Sequence, residues 1–243
     1  MNRNTRLTQM FIGLMVMAAL GSVLYSGVMS HRLQPYYALA VLALAAASSR
    51  MKVKLPGING NMSVNLPFLL TAVVSLSAVE TVMVACVSMA VQCWPRKQAK
   101  LNPQHMAFNV SMTVFASCVA SLMFHAQWLG GISWSSHTLG LALATAVLFV
   151  GQTCPVASIV AVSEGKAAGQ IWRGLVHLSF PYYVVSAGVT SMIQAVTSRS
   201  GWGLALAVFP VMYGIHRSYR LYFGRMVESS RPEGLVRAAG AGA

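Results

Sequence analysis

The feature that most constrains this chain is a series of apolar runs, several close to the length that crosses a bilayer, about 20 residues. They cover residues 10–29, 35–48, 66–77, 79–94, 105–124, 139–162, 176–196 and 202–215, and only the run at 79–94 holds a charged side chain, Glu80. A backbone surrounded by lipid must satisfy its own hydrogen bonds, so such runs are read as helices. Only 9% of the residues are charged, where a soluble domain carries about 25%. So little charge cannot clothe a globule of 243 residues in solvated surface. A soluble domain and a disordered chain are both excluded. The expected fold class is all-α: a polytopic transmembrane helical bundle of six to eight spans, two of them short or re-entrant.

The first run follows a basic start, Asn2-Arg3-Asn4-Thr5-Arg6. A cleaved signal peptide with its site near residues 18–22 is the rival reading. Apolar sequence continues to Met29 and further runs follow, which favours an uncleaved first span. The runs at 66–77 and 79–94 are each shorter than an ordinary span. They are expected either to cross as two tilted helices or to dip in and return. Between the second and third runs, residues 52–65 read K-V-K-L-P-G-I-N-G-N-M-S-V-N. The Asn59-Gly60 pair is a tight-turn signal between short alternating segments, so a small β-hairpin or ordered loop is expected there. Residues 1–225 are expected to form a single polytopic membrane domain and 226–243 a flexible cytoplasmic tail.

Orientation follows from charge. With the N-terminus inside and either six or eight crossings, only Arg32 and Arg199 of the 17 Lys and Arg fall outside. Basic loops stay cytoplasmic, so both termini are expected in the cytoplasm. Trp94, Trp128, Trp134, Trp172 and Trp202 sit at or near run ends, where amphipathic rings favour the headgroup level. The net charge of +13 is ascribed to loops facing anionic lipid, not to a nucleic-acid partner.

The composition also limits chemistry. The chain contains no Asp, and its acids are Glu80, Glu164, Glu228 and Glu233. No HExxH, GxSxG, GxxxxGK[ST] or GxGxxG pattern is present. Cys86, Cys93, Cys118 and Cys154 form no CxxC pair, and His105, His125, His137 and His177 lack ligand spacing. Neither a catalytic centre, a metal site nor a cofactor is expected. Glu80, the sole acid within the apolar body, must be paired, protonated or facing water. It is read as a ligand, proton or cation site, or as the N-terminal cap of its helix. Amides form a second group, Asn59, Asn61, Asn65, Gln92, Asn102 and Asn109. Asn65, Gln92 and Asn109 lie in or beside apolar runs, where amides bind a polar ligand or join helices. The candidate ligand-binding residues are therefore Glu80, Asn65, Gln92 and Asn109. Pro67, Pro155, Pro181 and Pro210 start or interrupt spans and kink them.

The order of elements across residues 49–124 carries a resemblance. It runs S-R-M-K-V-K-L-P-G-I-N-G-N-M-S-V-N-L-P-F, L-S-A-V-E-T-V, C-V-S-M-A-V-Q-C, then Q-H-M-A-F-N-V-S. This resembles the N-terminal multi-span membrane module of bacterial signalling proteins that continue into an HD-type (HD-GYP) phosphodiesterase or a GGDEF domain. S-Y-R-L-Y-F-G-R at 218–225 is similar to the helix that leads into such an output domain. The shared pattern falls on Arg50, Lys52, Pro56, Gly57, Gly60, Ser63, Asn65, Glu80, Gln92 and Asn109. No HD, GYP or GGDEF sequence occurs in the chain, so the resemblance implies the membrane module alone and no enzymatic activity. It implies a bacterial inner-membrane protein that binds a small ligand and relays to a cytoplasmic signalling partner or a second copy of itself. The alternative is a small-molecule transporter, or the substrate-binding subunit of one.

Overall fold

The computed structural model describes residues 3–29, 33–54, 61–95, 102–125 and 135–200, with 210, 213–214 and 217–218 beyond them. In chain order these residues form α1 (Arg3–Met29), α2 (Pro35–Ser49), β1 (Lys52–Lys54), β2 (Asn61–Ser63) and α3 (Leu66–Ser75). They continue as α4 (Ala78–Cys93), α5 (Pro103–Phe124), α6 (Ser135–Glu164) and α7 (Ala168–Ser200). The fold is helical, with one antiparallel ladder pairing Lys52 with Ser63, Val53 with Met62 and Lys54 with Asn61. The expected Asn59-Gly60 turn lies outside the described residues, as do most of the 202–215 run and the whole 226–243 tail.

Helix boundaries follow local chemistry. A proline occupies the first turn of α2 (Pro35), α3 (Pro67) and α5 (Pro103), where its missing N–H has no intrahelical partner to lose. α3 ends at Leu76, which is extended and donates its N–H to Ala72 O at 2.9 Å. α4 restarts at once through a Ser77–Glu80 capping box. Gly165, at φ +66°, turns the chain from α6 into α7, a conformation that a Cβ would penalise.

Three helices among the described residues are long and apolar enough to cross a membrane: Arg6–Val28 within α1, Pro103–Phe124 and His137–Glu164. This corrects the expectation of six to eight spans. α2, α3 and α4 have 15, 10 and 16 residues, so each rises no more than about 24 Å, short of a hydrocarbon core of about 30 Å. α7 has 33 residues, but Gln170, Arg173, His177 and several hydroxyl residues dilute its apolar character.

The short helices are nevertheless the centre of the molecule. Every residue of α3 from Leu66 to Val74 is buried, and the helix packs against α2, α4, α5, α6 and α7. Its polar groups are met from neighbours. Thr190 donates to Pro67 O at 3.1 Å, Tyr182 accepts from Leu66 N at 3.3 Å, and Thr81 donates to Ala72 O at 2.9 Å. α5 and α6 approach closely at Gly151, where a Cβ would stand 2.9 Å from Ala116 Cβ. Phe149 of α6 meets Phe180 and Tyr183 of α7 edge-on. α1 lies outermost, against α5, α4 and α6, and presents Met10, Leu14, Met17, Leu24 and Val28 as an exposed stripe. An apolar stripe on an apolar helix is stable where hydrocarbon covers it.

Candidate functional site

A cavity of about 680 Å³ opens at one end of the helix cluster. α1 lines it with Thr8 and Ile12, α3 with Leu66 and Leu69, and α4 with Met89, Gln92 and Cys93. α5 contributes His105, Phe108, Asn109, Met112 and Thr113, α6 Gln152, Thr153 and Val156, and α7 Ser179, Tyr182 and Tyr183. These are the first turns of α3, the N-terminal parts of α1, α5 and α7, and the C-terminal parts of α4 and α6. All these ends lie on the same side of the helix cluster, as does Lys166 between α6 and α7. Asn102, Gln104, His105 and Ser163 are exposed at the mouth, while Asn65, Leu66, Leu69, Thr153, Tyr182 and Tyr183 are buried in the interior.

The lining is mostly apolar with amides and hydroxyls set into it, and among the described residues no Lys, Arg, Asp or Glu belongs to it. Its polar groups are held by local bonds. Asn102 caps α5, its Oδ1 accepting from His105 N at 3.2 Å. Asn109 Nδ2 donates to His105 O at 2.8 Å and faces His105 Nδ1 at 3.1 Å. Because a carbonyl only accepts, this contact fixes which way the Asn109 amide is turned. Across the cavity the Tyr183 hydroxyl donates to Gln152 Oε1 at 2.7 Å, and Trp172 Nε1 donates to Thr153 Oγ1 at 3.2 Å. Pro155 and Pro181 stand inside α6 and α7 next to these residues.

Of the four residues singled out from the sequence, the structure brings Asn65, Gln92 and Asn109 into this one cavity and places Glu80 elsewhere. Glu80 lies at the other end of α4, about 18 Å of helix rise from Gln92. It is buried, its Oε2 accepting from Ser77 N at 3.1 Å and Ser77 Oγ at 2.7 Å. Its Oε1 accepts from Gln34 N at 2.6 Å, which ties the start of α2 to the start of α4. The cap reading of Glu80 therefore describes its contacts. Sequence reasoning passed over Gln152, although a lone amide within an apolar run was the signal that marked Gln92. It also passed over Tyr182 and Tyr183, whose positions beside Pro181 give no such signal. No group of three His, Cys, Asp or Glu side chains able to hold a metal ion occurs among the described residues.

No protein-family model, curated protein or solved structure matches the chain.

Proposed function

We propose that this protein is an integral membrane module that binds a small molecule in the cavity between α3, α4, α5, α6 and α7 and carries out no bond-making chemistry. The observation behind this reading is the convergence of Asn65, Gln92 and Asn109, separate in sequence, on one cavity. Cavities of this size suit small-molecule ligands. The cavity lies at the C-terminal end of α4, which the sequence follows with Arg96, Lys97 and Lys100, so with that basic stretch in the cytoplasm of a bacterial cell the ligand enters from the cytosol. α2, α3, α4 and α7 complete the membrane-embedded bundle around the three long helices. At the far end Leu76 is buried and the Glu80–Gln34 bond ties α4 to α2. Such a cavity suits a sensor that reports occupancy to a cytoplasmic partner or a second copy. Transport is the second reading. Pro155 and Pro181 favour it, because each removes a backbone hydrogen bond from a helix that lines the cavity and so eases its bending.

Cys93 provides the test. A variant that keeps only this cysteine is placed in vesicles of known sidedness and treated with a membrane-impermeant thiol reagent. Labelling from the cytosolic side alone is expected. Labelling from neither side, or only from the opposite side, would refute a cytosol-facing cavity. Accumulation of a bound compound inside proteoliposomes would replace the sensor reading with transport.

A further inference from the structure

We infer that the loop end of α6 and α7 is a hinged flap over the cavity, swinging about Pro155 and Pro181 and held shut by the hydrogen bond between Trp172 and Thr153. This rests on the cavity being a ligand site, as proposed above, and concerns what admits the ligand.

The breaks come first. Pro155 and Pro181 stand inside α6 and α7. Each takes away the N–H that would bond the carbonyl four residues earlier, of Gly151 and of His177, and its ring crowds that carbonyl. The two breaks lie side by side. Phe149 meets Phe180 and Tyr183 edge-on, with ring centres 5.8 and 5.0 Å away, and the Tyr183 hydroxyl bonds Gln152. One proline would bend one helix against a straight neighbour. Two at one level let the hairpin between them bend as a unit.

Packing differs on the two sides of the breaks. On the core side both helices are pinned. Gly151 lies against Ala116 with no room for a side chain, and Ala144 and Leu148 are fully buried. Tyr182 and Thr190 bond the start of α3, and Ser186 and Ile193 are buried. On the loop side, across residues 156–164 and 168–180, Ala157 alone is buried. This loosely packed part nevertheless forms a wall of the cavity, with Val156, Ile159, Val160 and Ser163 from α6 and Leu175 and Ser179 from α7. From Pro155 to Ser163 the arm is about 12 Å long. A change of about 20°, the size of a proline kink, therefore moves its tip by about 4 Å.

One bond crosses the break. Trp172, on the loop side of α7, donates Nε1–H to Thr153 Oγ1 at 3.2 Å, on the core side of α6. Thr153 donates its own hydroxyl to Phe149 O at 2.7 Å, which leaves Oγ1 as the acceptor for the indole. Trp172 is half-buried, so water replaces Thr153 as its partner once the flap moves.

The test uses the whole chain in lipid nanodiscs. Spin labels at Gln104→Cys on α5 and Ser163→Cys on α6, both exposed at the mouth, measure the opening in a background without other cysteines. In separate single-cysteine chains, Met89→Cys, buried one turn deeper in the cavity than Cys93, reports entry of the thiol reagent, and Cys93 reports whether the cavity faces the cytosol. Two distances about 4 Å apart are expected in the parent. Trp172→Phe and Thr153→Val approach the same bond from its two ends, so either serves if the other does not fold. Each is expected to raise the wider population, and labelling at Met89→Cys, about fivefold, the loss of one hydrogen bond. Pro155→Ala with Pro181→Ala is expected to leave a single distance and slow that labelling. A single distance in the parent that neither latch variant changes would overturn the hinge, and Cys93 labelled from the cytosol would then leave the ligand site standing. A wider opening with unchanged labelling at Met89→Cys would overturn the flap as the gate. Cys93 unlabelled from the cytosol would overturn the cytosol-facing cavity, while the spin-label distances would still decide the hinge.

Discussion

Removing the Glu80 carboxylate takes away three acceptor contacts at once: Gln34 N at 2.6 Å, Ser77 N at 3.1 Å and Ser77 Oγ at 2.7 Å. In Glu80→Ala the two backbone N–H groups lose their partners, and the Ser77 hydroxyl keeps only its role as acceptor from residue 80. A buried N–H left unsatisfied costs about 1–3 kcal/mol. Gln34 is exposed and Ser77 half-buried, so water reaches both amides and trims the loss. The expected destabilisation is about 2–3 kcal/mol, within the range for losing a helix cap together with a hydrogen bond to a charged group. Glu80→Gln keeps an acceptor for Gln34 N and should lose roughly half as much. The assay is unfolding of the purified protein in one detergent, followed by intrinsic fluorescence, in parallel with cytosolic labelling of Cys93. Both variants are expected to melt earlier and to label Cys93 at the parental rate, since the carboxylate lies far from the cavity. A Glu80→Ala protein that melts like the parent but no longer labels or binds would refute the structural role. It would return Glu80 to the ligand site.

Other substitutions probe the packing. Gly151→Val puts a branched side chain where a Cβ already comes within 2.9 Å of Ala116 Cβ. It should destabilise by about 1–3 kcal/mol, and Ala116→Gly in the same chain should recover part of the loss in the same melt. Leu70→Ala in α3, at 0% exposure, should cost about 2–5 kcal/mol, while Leu14→Ala on the exposed stripe of α1 should change the unfolding midpoint little. Thr190→Val removes the donor to Pro67 O and should cost about 1 kcal/mol. Cys118, buried at 2% exposure, should react with a thiol reagent only on unfolding, a contrast with Cys93 that mass spectrometry reads directly.

Helix existence was legible along the described chain because each apolar run needs internally satisfied hydrogen bonds. Helix ends were less so. The run at 139–162 lies within Ser135–Glu164 and that at 176–196 within Ala168–Ser200, because Ser, His, Gln and Arg continue a helix without continuing its apolar character. The Ser77-x-x-Glu80 spacing announces a capping box, and Glu80 forms one. Its third partner, Gln34 N, lies 46 residues away, and no local pattern announces it. Nor does composition distinguish a helix wrapped in protein from one wrapped in lipid. α3 and α1 are both apolar, yet α3 is buried throughout while α1 exposes a stripe of large side chains. Asn65, Gln92 and Asn109 were legible because an amide in an apolar run costs free energy unless it is bonded. Their meeting in one cavity was not, since it depends on how the helices close around α3.

The shortness of α3 and the presence of the cavity have one physical origin. α3 begins at the cavity and rises about 15 Å over its 10 residues. α4 returns beside it over 16 residues and so outreaches it by roughly 9 Å at the cavity end. The axis of the helix cluster is thus filled at the closed end and left open at the mouth, with the first turn of α3 as the floor. Such a helix cannot face lipid at both ends, because its terminal N–H and C=O groups would have no partners there. Enclosure supplies Leu66 N with the Tyr182 hydroxyl, and adds the Thr190 and Thr81 hydroxyls to Pro67 O and Ala72 O, which Thr71 Oγ1 and Leu76 N already meet. α5, α6 and α7, longer than α3, then enclose the space beneath it with whatever side chains they carry at that level. Hydrocarbon side chains in that space would extend the core. The sequence sets amides and hydroxyls among the apolar side chains there, and these suit water or a ligand that replaces the water.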